Sequence, residues 1–144
     1  MAGILTFFCG KMGSGKTTLA AKLAKDTDAF LLSEDVWLEQ LYPNQIETIA
    51  DYVYYSNLIK PLVRELVTAL LESNNDVVMD FPANTEQQRE WLCSITDNYR
   101  LYYLDVSDEE CLLRLKSRGR PTDTEEMFWA MRKHFVKPKN FLTL

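Results

Sequence analysis

Apolar positions along the chain fall into short continuous runs separated by stretches of helical period. Ile4–Cys9 is nearly all apolar and stops at Gly10, the pattern of a strand buried on both faces. Thr17–Lys25 follows, with Leu19, Ala20, Leu23 and Ala24 at helical spacing. Ala29–Leu32 predicts a second strand that ends in Ser33-Glu34-Asp35, and a helical pattern then runs from Val36 to Tyr42-Pro43. Leu58, Ile59, Leu62, Val63, Leu66, Val67, Leu70 and Leu71 form a doublet repeating every four residues, which predicts a buried helix stripe. Pro61 lies inside it, so the helix either kinks there or begins near Lys60.

Asp76–Phe81 predicts a third strand, and Thr85-Glu86-Gln87-Gln88 is a capping-box pattern opening a helix through Trp91, Leu92 and Ile95. Arg100–Val106 predicts a fourth strand. Ser107-Asp108-Glu109-Glu110 is a second capping box, whose helix runs through Leu112, Leu113 and Leu115 until Gly119 and Pro121 break it. A last helix spans about Asp123–Phe135. Such alternation of strand and helix predicts a parallel sheet with helices on both faces, because parallel neighbours need crossover connections. Ligands of such sheets sit beyond the carboxyl ends of the strands. Gly10–Thr17, Glu34-Asp35, Asp80–Asn84 and Asp105 are the residues placed there.

Composition narrows the class. At 144 residues and 16.7 kDa, with 47% hydrophobic and 26% charged residues, the chain has the size and makeup of one globular domain, residues 1–144. No apolar run approaches the ~20 residues that cross a bilayer, and no basic leader opens the chain, so a cytoplasmic protein without membrane contact is expected. Three scattered cysteines and one histidine exclude a Cys/His zinc site and give no sign of a disulfide framework. The net charge of −5 is unevenly spread. Residues 1–25 carry +4, residues 26–110 carry −14 and residues 111–144 carry +5. Two basic ends flanking an acidic middle are what a bound polyanion such as a nucleotide would require, although uneven solvated charge gives the same count. A pI near 4.9 argues against a long nucleic-acid track.

Gly10-Lys11-Met12-Gly13-Ser14-Gly15-Lys16-Thr17 fits G-x-x-x-x-G-K-[ST], and it sits between a predicted strand and a predicted helix as that motif requires. The glycines let backbone N–H groups turn inward around phosphate oxygens, and the helix adds its positive end. Lys16 is placed to reach the outer phosphates, the Thr17 hydroxyl to join a magnesium shell, and Thr18 to touch the α-phosphate. Absence of N-K-x-D, and of D-x-x-G after the third strand, disfavours a GTPase, and the length disfavours a motor ATPase with a helical subdomain. A compact ATP- and Mg²⁺-dependent phosphotransferase remains. Asp35 is its candidate base, with a cap for the helix at Val36 as the other reading, and one residue could do both. Asp80 is a candidate magnesium carboxylate or a turn contact. Arg114, Lys116, Arg118 and Arg120 form a candidate lid around residues 114–121, or a solvated helix end.

Taken together, Gly10–Thr18, the Asp35 position, Val77-Val78-Met79-Asp80 with Asn84 and Arg89, and Tyr103–Val106 through Arg114-x-x-x-Arg118-Gly119 resemble the small P-loop kinases. The order is similar to that in phage-type polynucleotide 5′-hydroxyl kinases, zeta toxins and chloramphenicol phosphotransferases. Asp80-Phe81-Pro82-Ala83-Asn84-Thr85 is similar to a string in bacterial "AAA family ATPase" proteins. The resemblance implies a three-layer α/β fold with sheet order 2-3-1-4-5, an Asp35 base, an Arg118 lid residue and an adenine near the last helix. A fifth strand would have to come from Val136–Leu144, which Pro138 and two lysines disfavour. The expected acceptor is a small-molecule hydroxyl, bound in a pocket built from Trp37–Asn57. Tyr42, Tyr52, Tyr54 and Tyr55 are its candidate linings or, at that spacing, core residues. An Arg-rich cleft for nucleic acid is missing from the acidic middle, so a 5′-end kinase is the less favoured acceptor reading. A nucleotide-dependent switch or slow ATPase acting through a partner protein is the alternative from another class.

Overall fold

The computed structural model describes residues 2–143. Four parallel strands, β1 (Leu5–Cys9), β2 (Phe30–Ser33), β3 (Val77–Asp80) and β4 (Tyr99–Tyr103), lie in the order β2-β3-β1-β4. The central strand β1 pairs Leu5 with Val77 on one side and Leu5 with Tyr99 on the other. Among the described residues there is no fifth strand, which corrects the order 2-3-1-4-5. Its place is held by a single parallel bridge between Tyr102 and Leu142, where the Tyr103 N–H donates to the Leu142 carbonyl and the Leu142 N–H to the Leu101 carbonyl. Pro138 has no N–H to offer a ladder, which is why pairing beside β4 does not extend along the segment before Leu142.

Strand alternation sorts β1 into two layers. Leu5, Phe7 and Cys9 face a large core closed by α2 (Glu34–Leu41), α3 (Ile49–Glu72) and α4 (Glu86–Cys93), through Leu38, Ile59, Val63, Val67, Leu71 and Leu92. Phe8 faces the other side with Val78, Ala20 and Ala24, the last two from α1 (Lys16–Thr27). A third cluster joins Cys111 and Leu115 of α5 (Asp108–Arg118) to Phe128 of α6 (Glu125–Arg132), with Met12 packed against it.

Of the two alternatives at Pro61, the longest helix passes through it rather than starting near Lys60: α3 begins eleven residues earlier, where Thr48 and Asp51 form a reciprocal capping box, and runs for 24 residues. Pro61 removes one helical donor, yet the row Ile59, Val63, Val67 and Leu71 is fully seated in the core. That burial outweighs a single lost backbone bond. Only one row of the doublet is covered, since Leu58, Leu62 and Leu66 are 45%, 66% and 39% exposed. A helix lying against one sheet face cannot bury two adjacent rows along its whole length. Strand β4 ends three residues before the expected Val106, because the Leu104 N–H turns to the Cys9 carbonyl and the chain bends towards α5. The Thr85–Gln88 capping box forms in both directions. At Ser107 only the hydroxyl contact forms, because the Glu110 carboxylate pairs with Arg114 instead.

Candidate active site

Helix α1 opens directly from the β1 turn with Gly15 in the left-handed region (φ 91°) and no side chain capping its first amides. Those uncapped N–H groups form an anion-binding end in the motif identified from sequence. Two of its glycines are dictated by neighbours. A Cβ at Gly10 would stand 2.4 Å from Ser14 Oγ. Gly13 has φ +78°, and a Cβ there would stand 2.5 Å from the Cys111 carbonyl oxygen of α5. Two buried oxygens at the turn, Ser14 Oγ and Asp80 Oδ1, lack a hydrogen-bond partner. Lys16 Nζ lies 3.6 Å from Asp80 Oδ1, at the end of the neighbouring strand. A buried carboxylate oxygen whose ammonium neighbour, Lys16, immediately precedes Thr17 in the chain belongs to a donor set suited to a hard cation shared with phosphate oxygens.

The remaining predicted residues surround this turn in different states. The side chains of Lys11 and Met12, in the loop read as the phosphate cradle, pack against neighbouring elements. Lys11 Nζ is 2.7 Å from Asp108 Oδ1, which Arg132 Nε also holds at 3.0 Å, and Met12 packs with α5 and α6. These two cations hold the Asp108 carboxyl below its ordinary range, the Lys11 hydrogen bond being the larger cause. Arg114 donates to Glu110 at 3.1 Å and approaches the Gly13 carbonyl at 3.5 Å, so it stands at the loop. Arg118 forms a two-point fork with Asp123, Nε to Oδ2 at 2.6 Å and Nη2 to Oδ1 at 2.7 Å. The fork occupies one edge of the guanidinium and leaves Nη1 outside it. The Asp123 side chain is 2% exposed, and its hydrogen bonds to Arg118 hold its carboxyl low. The Arg118 guanidinium is raised chiefly by the same contact, with a further contribution from Asp35. Asp35 is exposed on the first turn of α2, and its charge is felt at Arg118.

Three residues to which the sequence reading gave no individual role stand at the site. Asn84 Oδ1 accepts the Gly10 N–H at 2.9 Å and fixes the start of the loop, while the Asn84 carbonyl accepts the Val136 N–H at 2.7 Å. Its place in the Asp80–Thr85 string was the available signal, but its partner is 74 residues away. Asp123 was read only as the start of a helix. Glu34 was read only as a neighbour of Asp35, yet it is buried on the first turn of α2, where the Tyr52 and Ser56 hydroxyls donate to its two carboxylate oxygens. Burial pushes its carboxyl up, against the opposing effects of Tyr52, Ser56 and Lys16. Of the other expected linings, Tyr42 and Tyr55 stack on each other with centroids 4.5 Å apart, Trp37 packs on the main core, and Tyr54 is exposed.

A P-loop at the exit of the central strand, a carboxylate at the exit of its neighbour and a cationic helix end over both define the small P-loop kinase fold. Residues 5–138 match the AAA domain family, and the chain belongs to it. Adenylate kinase of Rickettsia conorii is 27% identical over 144 residues, 94% of this chain, and the chain spans 66% of that relative's length. A sugar kinase from Janibacter sp. HTCC2649 superposes with a TM-score of 0.73 at 18% identity, covering 100% of this chain and 85% of that one. A chain of the Pnkp1/Rnl/Hen1 RNA repair complex superposes with a TM-score of 0.75 at 20% identity, covering 92% of this chain and 43% of that one. At those identities the two structures share the fold. No described helix is long and apolar enough to cross a membrane.

Proposed function

We propose that the protein transfers the γ-phosphoryl group of ATP to a hydroxyl of a small molecule. The observation that carries this reading is the pair of buried, unpartnered oxygens, Ser14 Oγ and Asp80 Oδ1, gathered with Lys16 under uncapped helix amides. In this reading the amides of Gly10–Thr18 and Lys16 hold the phosphates, with Thr18 on the α-phosphate and the adenine near α6. Thr17 and Asp80 would hold Mg²⁺, which supplies positive charge at the outer phosphates when bound. Among the described residues no group of three or more His, Cys, Asp or Glu could enclose a metal, in keeping with a cation held mainly by the nucleotide.

Asp35 takes the proton of the incoming hydroxyl as its oxygen bonds to the γ-phosphorus. The bond from that phosphorus to the bridging oxygen breaks, and ADP leaves with the electron pair. Arg118 and Arg114 stabilise the charge in flight, and segment 114–121 acts as the lid that excludes water. The test is phosphoryl transfer by wild type, Lys16→Ala, Asp35→Asn and Arg118→Ala across a panel of hydroxyl acceptors. Asp35→Asn is expected to lose at least about a hundredfold in kcat; transfer at the wild-type rate refutes the base.

The likeness to a chain of an RNA repair complex supports a second acceptor, a nucleic-acid 5′ end. Steep salt dependence of binding to a short oligonucleotide would favour it. A cytoplasmic location fits either acceptor.

A further inference from the structure

Helix α2 carries Asp35 on its first turn, yet nothing local fixes that turn. The helix has eight residues, too few to hold together unaided, and Ser33 at its N-cap makes no side-chain hydrogen bond to its first amides. What holds it comes from α3, at both ends. Its C-cap, Tyr42, stacks on Tyr55. At its start the Tyr52 and Ser56 hydroxyls, one helical turn apart, donate to the two carboxylate oxygens of Glu34, Ser56 at 2.8 Å. These donors stand on a helix whose own start is set by the Thr48–Asp51 capping box just before them.

A carboxylate is a costly way to join two helices. Glu34 is 2% exposed, and burial opposes its charge. An apolar side chain would be cheaper to bury there, but it would let α2 slide on α3. Two hydroxyls meeting the two oxygens of one planar group admit a single arrangement, because hydrogen bonds are directional. Asp35 follows about 100° further round the helix. With Glu34 pinned inward, Asp35 is turned out to solvent, where its charge reaches Arg118. The charge of Lys16 is felt at Glu34 too, so the anchor stands within electrostatic reach of the phosphate loop. We infer that Glu34 is a positioning residue: anchored by Tyr52 and Ser56, it fixes the first turn of α2 and thereby the placement of Asp35. That Asp35 acts as the base rests on the phosphotransfer reading; that Glu34 holds it in place does not.

The full chain is measured with ATP and Mg²⁺, water serving as the acceptor, by ADP release and by the ¹⁵N order parameter of the Asp35 amide. Tyr52→Phe combined with Ser56→Ala deletes only the two hydroxyls. It should lower kcat about tenfold and leave KM for ATP within about twofold. The Asp35 order parameter should fall from about 0.85 towards about 0.6. In an Asp35→Asn background the same pair should change kcat less than about twofold, since a residue acting through Asp35 has nothing left to place. Glu34→Gln, able to accept from one hydroxyl and donate to the other, should keep kcat within about threefold, whereas Glu34→Met should match the double deletion. If the double deletion fails to fold, each single deletion is read by the same criteria, and the order parameter decides if turnover with water is too slow to follow. The inference is overturned if the folded variants keep the wild-type order parameter, or if kcat falls equally in both backgrounds. It is also overturned if Glu34→Gln raises KM for ATP about tenfold, which would make Lys16 the group that Glu34 serves. An Asp35 loosened by the deletions, together with wild-type ADP release by Asp35→Asn, would instead refute the base and leave the positioning role standing.

Discussion

The two halves of the cleft are built on different principles. On the nucleotide side the ligand-binding groups are backbone amides, fixed by glycine conformations and by contacts such as Gly13 against the Cys111 carbonyl. Beside it, on α2 and α3, the polar groups are side chains held by hydrogen bonds between elements, as where the Tyr52 and Ser56 hydroxyls donate to Glu34. The triphosphate is common to every P-loop phosphotransferase, so main chain in one fixed shape suffices to bind it. An acceptor differs from one enzyme to the next, and side chains on separate helices can change without disturbing the phosphate cradle.

Substitutions on the nucleotide side should therefore be the more damaging. Lys16→Ala is expected to lower kcat/KM for ATP by about a thousandfold or more, as measured by coupled ADP release. Activity retained within tenfold would place the phosphate elsewhere. Gly13→Ala is next, combining a left-handed backbone with a Cβ contact of 2.5 Å. It should lose about 1–3 kcal/mol of stability and most nucleotide affinity, followed by thermal melting and calorimetry.

Asp123→Asn probes the fork that holds Arg118. Removing the charged partner of the fork should lower kcat about tenfold with little change in KM for ATP, because Arg118 would be misoriented rather than lost. Its pH signature follows from the lowered Asp123 carboxyl. A depressed folded value contributes stability that is present above the ordinary carboxylate range and is lost as pH falls through the folded value. The melting difference between wild type and Asp123→Asn should thus shrink on acidification below about pH 4.

Glu34 should show the opposite sign, and the smallest effect. Its folded carboxyl is raised, so the folded state binds more protons than the unfolded one as pH climbs from the ordinary glutamate range. Wild-type stability should fall over that interval relative to Glu34→Gln, as read from paired urea titrations. A wild-type advantage that grows with pH would show that Tyr52 and Ser56 outweigh the burial.

Much of this chain was legible before folding because its signals are local. The motif at Gly10–Thr17 lies within one turn, the Thr85–Gln88 box within four residues, and β1 within one apolar run. Each specifies backbone geometry through neighbours in sequence, so a linear pattern suffices. The alternation of elements likewise fixed a parallel sheet, through the handedness and length of its crossovers. Tertiary structure alone decided which leucine row of α3 meets the sheet, why Pro61 is tolerated there, and why pairing beside β4 stops at a single bridge. It also decided the partners of the charged and amide groups: Lys11 with Asp108, Asn84 with the Gly10 amide, and Glu34 with two hydroxyls of α3. Those choices depend on which polar groups lose water together when distant segments meet, and desolvation is a property of the packed interior rather than of any stretch of chain.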